Sequence, residues 1–142
     1  MISACFLGHH IVVNRLLQIG TEIEESFKNH DKLVHKMLET YTNENQVNPI
    51  INACVRGAVE TVKVLLYYKA NHEVCMRRDS RFNLLVVSFP HIPLYKFFKE
   101  KNLFKPDKWK ATYEMYKNNK MTECVNYLRQ VCDEFIELPL KN

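Results

Sequence analysis

The side chains that could do chemistry in this 142-residue chain are its five cysteines and six histidines. A zinc site needs several such ligands converging at characteristic spacings, and no two of the cysteines form a CxxC pair. His30 and His35 are five positions apart, which places them on different sides of a helix. Cysteine–histidine catalysis needs a thiolate beside an oriented base, and the sequence offers no such set. We therefore predict no catalytic residue, no metal site and no cofactor; a reactive Cys75, next to Arg77 and Arg78, is the alternative.

Charge is the other possible source of function. The net charge is +4, and residues 96–120 contain eight lysines against three acidic residues, with aromatic residues between them. A basic, aromatic stretch can bind single-stranded nucleic acid by stacking and by phosphate contacts. Helical spacing, as in Leu94, Phe97 and Phe98, favours instead a buried aromatic face and a solvated lysine face. The chain has only 3 glycines, too few for a Gly-rich phosphate loop.

An internal repeat supplies the elements that would position any site. Residues 4–17 align without gaps with residues 53–66. The identical positions are Ala4/Ala53, Cys5/Cys54, Gly8/Gly57, Val13/Val62, Leu16/Leu65 and Leu17/Leu66. Each unit predicts a short helix, a glycine turn and a second helix with one apolar face. Because such a pair cannot bury its apolar face alone, the units must stack.

The second unit also carries helix-capping signals. Asn48 can cap a helix that begins at Pro49, where the missing N–H costs nothing. Gly57 can end that helix because it adopts a positive φ without strain. We predict the second helix over about Val59–Tyr68.

The segment from Asn48 to Asn71 resembles the ankyrin repeat, whose pattern is T-P-L-H-x-A-A-x-x-G-H-x-E-V-V-x-L-L-L-x-x-G-A-D. Its matching residues are Pro49, Ala53, Gly57, Glu60, Val62, Lys63, Leu65, Leu66 and Ala70. Ile51, Ala58 and Lys69 depart from the pattern. The first unit matches through Gly8, His9, Val12, Val13, Leu16, Leu17 and Gly20.

The resemblance implies an all-α fold of stacked helix–turn–helix ankyrin-like repeats, an α-solenoid with two clear repeats and degenerate C-terminal ones. The clear units are separated by more than the ankyrin period of about 33 residues, and this surplus predicts an extra helix near 28–42. Downstream the pattern returns weakly, with Phe98 in register with Leu65 and Glu123 in register with Glu60. We place one domain over 1–142, with repeats near 1–23, 48–80, 82–104 and 107–137.

In function, the resemblance implies non-catalytic protein–protein recognition. Ankyrin proteins bind partners with the loop fingers and the exposed sides of the first helices. Carried over to this chain, the partner-binding residues are Asn52, Arg56, His72, Arg77, Arg78 and Arg81. Three alternatives remain: a merely solvated loop over 72–81, a nucleic-acid-binding helical protein, and the structural end of a longer ankyrin array. The last would expose apolar surface on the first unit.

Degenerate repeats and thirteen asparagines beside 3 glycines resemble the ankyrin-like multigene-family and host-range proteins of large DNA viruses such as asfarviruses and poxviruses. That resemblance implies modulation of host innate immune signalling and a place in the host cytoplasm, with the nucleus as an alternative. No leader and no apolar segment of membrane-spanning length stand in the sequence, which predicts an intracellular protein without membrane contact. We expect protein partners, no nucleic acid, and a monomer or weak self-association.

Overall fold

The computed structural model describes residues 4–5, 7–40, 47–76, 79–89 and 91–131, with the backbone alone at 79–81 and 131. Within these ranges eight α-helices are formed: α1 (His10–Ser26), α2 (Leu33–Leu38), α3 (Pro49–Arg56), α4 (Val59–Tyr67), α5 (Leu84–Val87), α6 (Ile92–Lys101), α7 (Pro106–Asn118) and α8 (Thr122–Val131). Two short strands, β1 (Cys75–Met76) and β2 (Asp79–Asn83), pair antiparallel, with Cys75 opposite Asn83. The prediction of a mostly helical protein with little strand is confirmed.

The helices pack in two rows. In one row α3 contacts α5 and α5 contacts α7. In the other row α1 contacts α4, α4 contacts α6, and α6 contacts α8. The pairs α3–α4 and α7–α8 join the rows around one continuous apolar core. This order is compatible with a stack of helix pairs; that the stack is an ankyrin array stays a prediction.

The second pair forms for the reasons that its sequence indicates. The Asn48 side chain accepts a hydrogen bond from the Ile51 N–H at 3.0 Å, and Pro49 is the first residue of α3. Gly57 follows α3 with φ of 71°. Both capping predictions are confirmed, and α4 ends one residue before the predicted Tyr68.

One backbone geometry recurs at five turns of the described chain. A positive φ occurs at Gly8, Gly57, Lys69, Asn102 and Lys120. At each of them the N–H donates to the carbonyl three positions back, and the next N–H donates to the carbonyl five positions before it. In the register of the sequence repeat, Gly57 corresponds to Gly8 and to Lys120, and Lys69 corresponds to Asn102. The helix closures therefore follow the sequence repeat.

The predicted extra helix near 28–42 is shorter than its apolar spacing indicates. A 3-10 turn over Lys28–His30 precedes the short α2, and residues 41–46 lie outside the described ranges. α2 lies close against α1 at Gly20, where an added Cβ would be 2.7 Å from Met37 Sδ. The Glu24 carboxylate accepts the Val34 N–H at 2.5 Å and so caps the start of α2.

The C-terminal half of the core is aromatic. Its largest fully buried side chains are Tyr95, Phe98, Trp109, Tyr113 and Tyr116. They lie on α6 and α7, the helices that also carry most of the lysines of residues 96–120. Among the helices that the structure describes, none combines the length and the apolar character needed to cross a bilayer.

Candidate functional site

A groove of about 560 Å³ lies where β2, α5 and α7 meet. Its residues are Phe82, Asn83, Val86, Asp107, Lys108, Ala111, Met115 and Asn119. Val86 is buried, Met115 is half-buried, and Phe82 remains 37% exposed. The groove therefore combines an apolar floor and one aromatic wall with an open side.

Two elements fix the shape of this groove. α5 begins at Leu84 because the buried Asn83 side chain accepts the Val86 N–H at 3.1 Å, an N-cap like that of Asn48. In α7, Trp109 and Tyr116 face the core, so Ala111 and Met115 lie on the opposite side of the helix. The groove residues were not predicted from the sequence. Two apolar residues four positions apart on the side of α7 away from the core are the signal that could have indicated them.

The rim of the groove is polar, and the segment that carries most of it is basic. Asp107, Lys108 and Asn119 stand around the apolar floor and are exposed. Over residues 105–120 the chain has five lysines against two acidic residues. The apolar floor together with the net positive charge of this segment therefore favours an occupant that carries negative charge beside an apolar group.

Two predicted partner-binding residues lie on α3, away from this groove. Asn52 is half-buried and Arg56 is exposed. Arg56 lines a separate hollow of about 420 Å³ together with Leu7, Gly8 and Glu60 at the turn end of the helix pair. Neither residue lines the groove at α5 and α7.

The predicted finger consists of His72, Arg77, Arg78 and Arg81, and the structure describes the side chain of only the first of them. His72 is half-buried and its ring contacts Phe104 edge-on, with 5.7 Å between ring centroids, so it packs within the protein. Arg77 and Arg78 lie outside the described residues. Arg81 belongs to β2 through its backbone, and its side chain is not described. The structure therefore does not bring the six predicted residues into one described site.

The described histidines do not converge on one site. His91 Nε2 donates to the Val55 carbonyl at 2.9 Å, and this bond ties the start of α6 to the end of α3. His9, which precedes α1 as His91 precedes α6, is exposed. Among the described residues, no group of three histidine, cysteine or acidic side chains is arranged to hold a metal ion.

The described cysteines are unsuited to nucleophilic catalysis where they are buried. Burial raises the pKa of the Cys5 thiol to about 11. Burial also raises the pKa of Cys54 and of Cys124, which keeps all three thiols protonated near neutral pH. Cys75 is half-buried on β1, and its Sγ donates weakly to the Glu73 carbonyl at 3.7 Å.

The aromatic residues of the basic stretch lie in the core. Phe97, Phe98, Phe104, Trp109, Tyr113 and Tyr116 are all buried. Stacking of nucleic-acid bases needs exposed rings, so these side chains cannot serve as a stacking platform in the folded protein. The prediction that they form the buried face of two helices is confirmed.

The groove at β2, α5 and α7 thus combines an apolar floor, an aromatic wall and a polar rim, the features of a recognition surface. It contains no paired nucleophile and base, and its chemistry is that of an apolar hollow with a charged rim. Comparisons of the chain with protein-family models, with curated proteins and with solved structures each gave no match.

Proposed function

We propose that this chain is a non-catalytic protein–protein interaction module whose binding site is the groove formed by β2, α5 and α7. The observation that carries the proposal is the combination of a buried apolar floor, the partly exposed Phe82 ring on one side and a charged rim. Protein partners are typically anchored by one bulky side chain that fills such a hollow, while polar groups around it exclude water.

The occupant that fits best is an acidic segment of a partner protein bearing a bulky apolar residue. The volume of about 560 Å³ accommodates a Leu, Phe or Trp side chain with part of its backbone. Lys108 at the rim and the lysine excess over residues 105–120 provide the complementary charge. Lys108 lines the groove and the other lysines are on the same segment, so they contribute more to association rate and specificity than to affinity.

The arrangement of the helices supports an ankyrin-like solenoid as the scaffold for this site. One closing geometry recurs in each of the pairs α3–α4, α5–α6 and α7–α8, the Asn48 and Asn83 caps are alike, and the helices form two rows. In such a scaffold the finger strands and the first helices of each pair lie side by side. The groove occupies that location, since Phe82 belongs to β2 and its other residues to α5 and α7 and their caps.

A role as a viral modulator of host innate immune signalling, in the host cytoplasm, depends on the resemblance alone. Partner recognition depends on the groove. Partner recognition can therefore be tested without testing immune modulation.

Filling the groove tests the proposal directly. Ala111 is exposed on a helix, so Ala111→Arg adds bulk to the groove without entering the core. Purified protein is panned against a displayed random peptide library, and the enriched peptides are titrated. We expect acidic peptides with one bulky apolar residue, and at least a tenfold loss of affinity in Ala111→Arg.

Asn118→Arg is the matched control, since it adds the same charge to the same helix outside the groove. It should bind like the unchanged protein. A second variant, Arg77→Glu/Arg78→Glu/Arg81→Glu, tests the finger. Binding that survives Ala111→Arg but is lost in the triple variant would move the site to the finger and overturn the groove assignment.

A further inference from the structure

The helix α1 leaves an aliphatic face uncovered. In α1, Val12, Leu16, Ile19 and Ile23 follow one another at spacings of four, three and four positions. Val12 is 48% exposed and Ile19 is 37% exposed, while Leu16 and Ile23 are half-buried. This spacing is typical of the a and d positions of a coiled coil, so we call these four residues the seam. The seam extends over most of α1, which is about 25 Å long.

The repeat register shows that this face is covered in the later pairs. The positions that match Val12 in α4, α6 and α8 are Thr61, Leu94 and Cys124. They are 0%, 0% and 1% exposed. Ile11 is 74% exposed, whereas Glu60 and Glu123 fill its position in α4 and α8. The first pair therefore carries apolar residues where an uncovered helix end would carry charged ones.

Charge identifies the occupant of this face. Arg15 and Glu22 precede Leu16 and Ile23 and so both occupy the g position beside the seam. Each is 62% exposed, and Arg15 Nη1 lies 3.9 Å from Glu22 Oε1 in the same chain. In an antiparallel helix pair g positions face g positions, so a second α1 would place the partner's Glu22 beside Arg15 and the partner's Arg15 beside Glu22.

The other end of the stack does not complement this face. On the side of α4 that faces α6, Lys63, Leu66 and Tyr67 line an open hollow of about 640 Å³ between the two helices. The matching positions of α8 carry Asn126, Arg129 and Gln130. A head-to-tail contact would therefore bury these polar residues against aliphatic ones, whereas two α1 faces match each other.

We propose that the chain forms a two-fold dimer through α1, packed antiparallel on α1 of a second copy. Val12 then contacts the partner's Ile23, and Leu16 contacts the partner's Ile19. Arg15 and the partner's Glu22 pair twice across the two-fold axis. The groove at α5 and α7 takes no part, so this dimer stands or falls independently of the proposed function.

Sedimentation equilibrium of the full chain over a range of concentrations tests the seam. The unchanged protein should reach a dimer and no larger species, since a two-fold contact closes on itself. Val12→Gln/Ile19→Gln should raise the dissociation constant at least tenfold. Val55→Gln is the matched control, because Val55 is 44% exposed on α3 and lies outside the seam; it should dimerise normally.

A charge exchange tests the orientation. Arg15→Glu alone and Glu22→Arg alone should each weaken dimerisation severalfold, because each places like charges across the axis. An equimolar mixture of the two variants should recover a dimer of wild-type strength, made of one chain of each. Circular dichroism melting curves confirm that every variant is folded. A monomer at all concentrations, a dimer unaffected by the glutamine changes, or a mixture that fails to recover would each overturn the proposal.

Discussion

The second and third helix pairs share an N-terminal cap and the closure of their second helices, although their sequences and the lengths of their first helices differ. α3 and α4 follow the ankyrin pattern closely, whereas α5 and α6 follow it only weakly. Yet Asn48 and Asn83 cap their helices in the same way, and Lys69 and Asn102 end the second helices with the same positive φ. The comparison teaches that caps, left-handed closures and buried apolar positions define the pair, and that most of the pattern letters do not.

The largest difference in the free energy of unfolding between two turns should appear at Gly57 and Gly8. Gly57→Ala places a Cβ 2.3 Å from His91 Cγ, and φ of 71° is strained for alanine. Gly8→Ala brings the same strain of a positive φ, but the Cβ that it adds meets only Ala58 Cβ, at an ordinary contact distance of 3.7 Å. We expect a loss of about 3 kcal/mol in the free energy of unfolding for Gly57→Ala and about 1 kcal/mol for Gly8→Ala, measured by urea denaturation.

Removal of the clashing ring provides the control for this pair of variants. In a His91→Ala background, Gly57→Ala should cost only the strain of the positive φ, because the ring is gone; the His91→Ala single variant accounts for the lost hydrogen bond to the Val55 carbonyl. Equal losses in Gly57→Ala and Gly8→Ala would show that the packing of His91 on this turn is unimportant.

The helix caps should matter equally in the two pairs, despite the short length of α5. Asn48→Ala and Asn83→Ala each remove the acceptor of one N–H and should each lower the free energy of unfolding by about 1 kcal/mol. Asn83→Ser, which retains a capping oxygen, should restore most of the stability. A loss at Asn48 without a loss at Asn83 would mean that α5 does not depend on its cap.

The smallest expected effect concerns Thr61 and Leu94, which share one position in the repeat. Among the described buried side chains, the Thr61 hydroxyl has no hydrogen-bond partner. Thr61→Val should therefore raise the free energy of unfolding by about 0.5 kcal/mol. Thr112→Val is the control: its buried hydroxyl donates to the Lys108 carbonyl at 2.8 Å, so that substitution should bring no gain.

Much of the fold can be predicted from the sequence, because its signals are local. Asn48, Pro49 and Gly57 set the bounds of α3 through backbone hydrogen bonds that depend on neighbouring residues only. The apolar spacing over 28–42 indicates helix, but it cannot show that Gly20 admits α2 or that α2 ends already at Leu38.

The candidate site is harder to predict because it joins distant segments. Phe82 and Met115 lie on separate elements far apart in the sequence and meet only through the packing of α5 against α7. The resemblance assigned His72 to the partner surface, yet its ring packs against Phe104, a contact between segments that sequence spacing does not reveal. Exposed apolar surface on the first unit was an expectation of the end-of-array alternative, but which residues of α1 are uncovered depends on packing that the sequence spacing does not show.

The buried tyrosines bear on how the molecule unfolds. The Tyr116 hydroxyl of α7 donates to the Leu85 carbonyl of α5 at 2.7 Å and accepts from the Tyr95 hydroxyl of α6. Burial raises the pKa of both phenols, so the link stays protonated and intact well into the alkaline range. Helices from two successive pairs thus share one polar network, and opening either pair breaks it. The C-terminal half should accordingly lose its amide-exchange protection as one cooperative unit, without fraying helix by helix from its end.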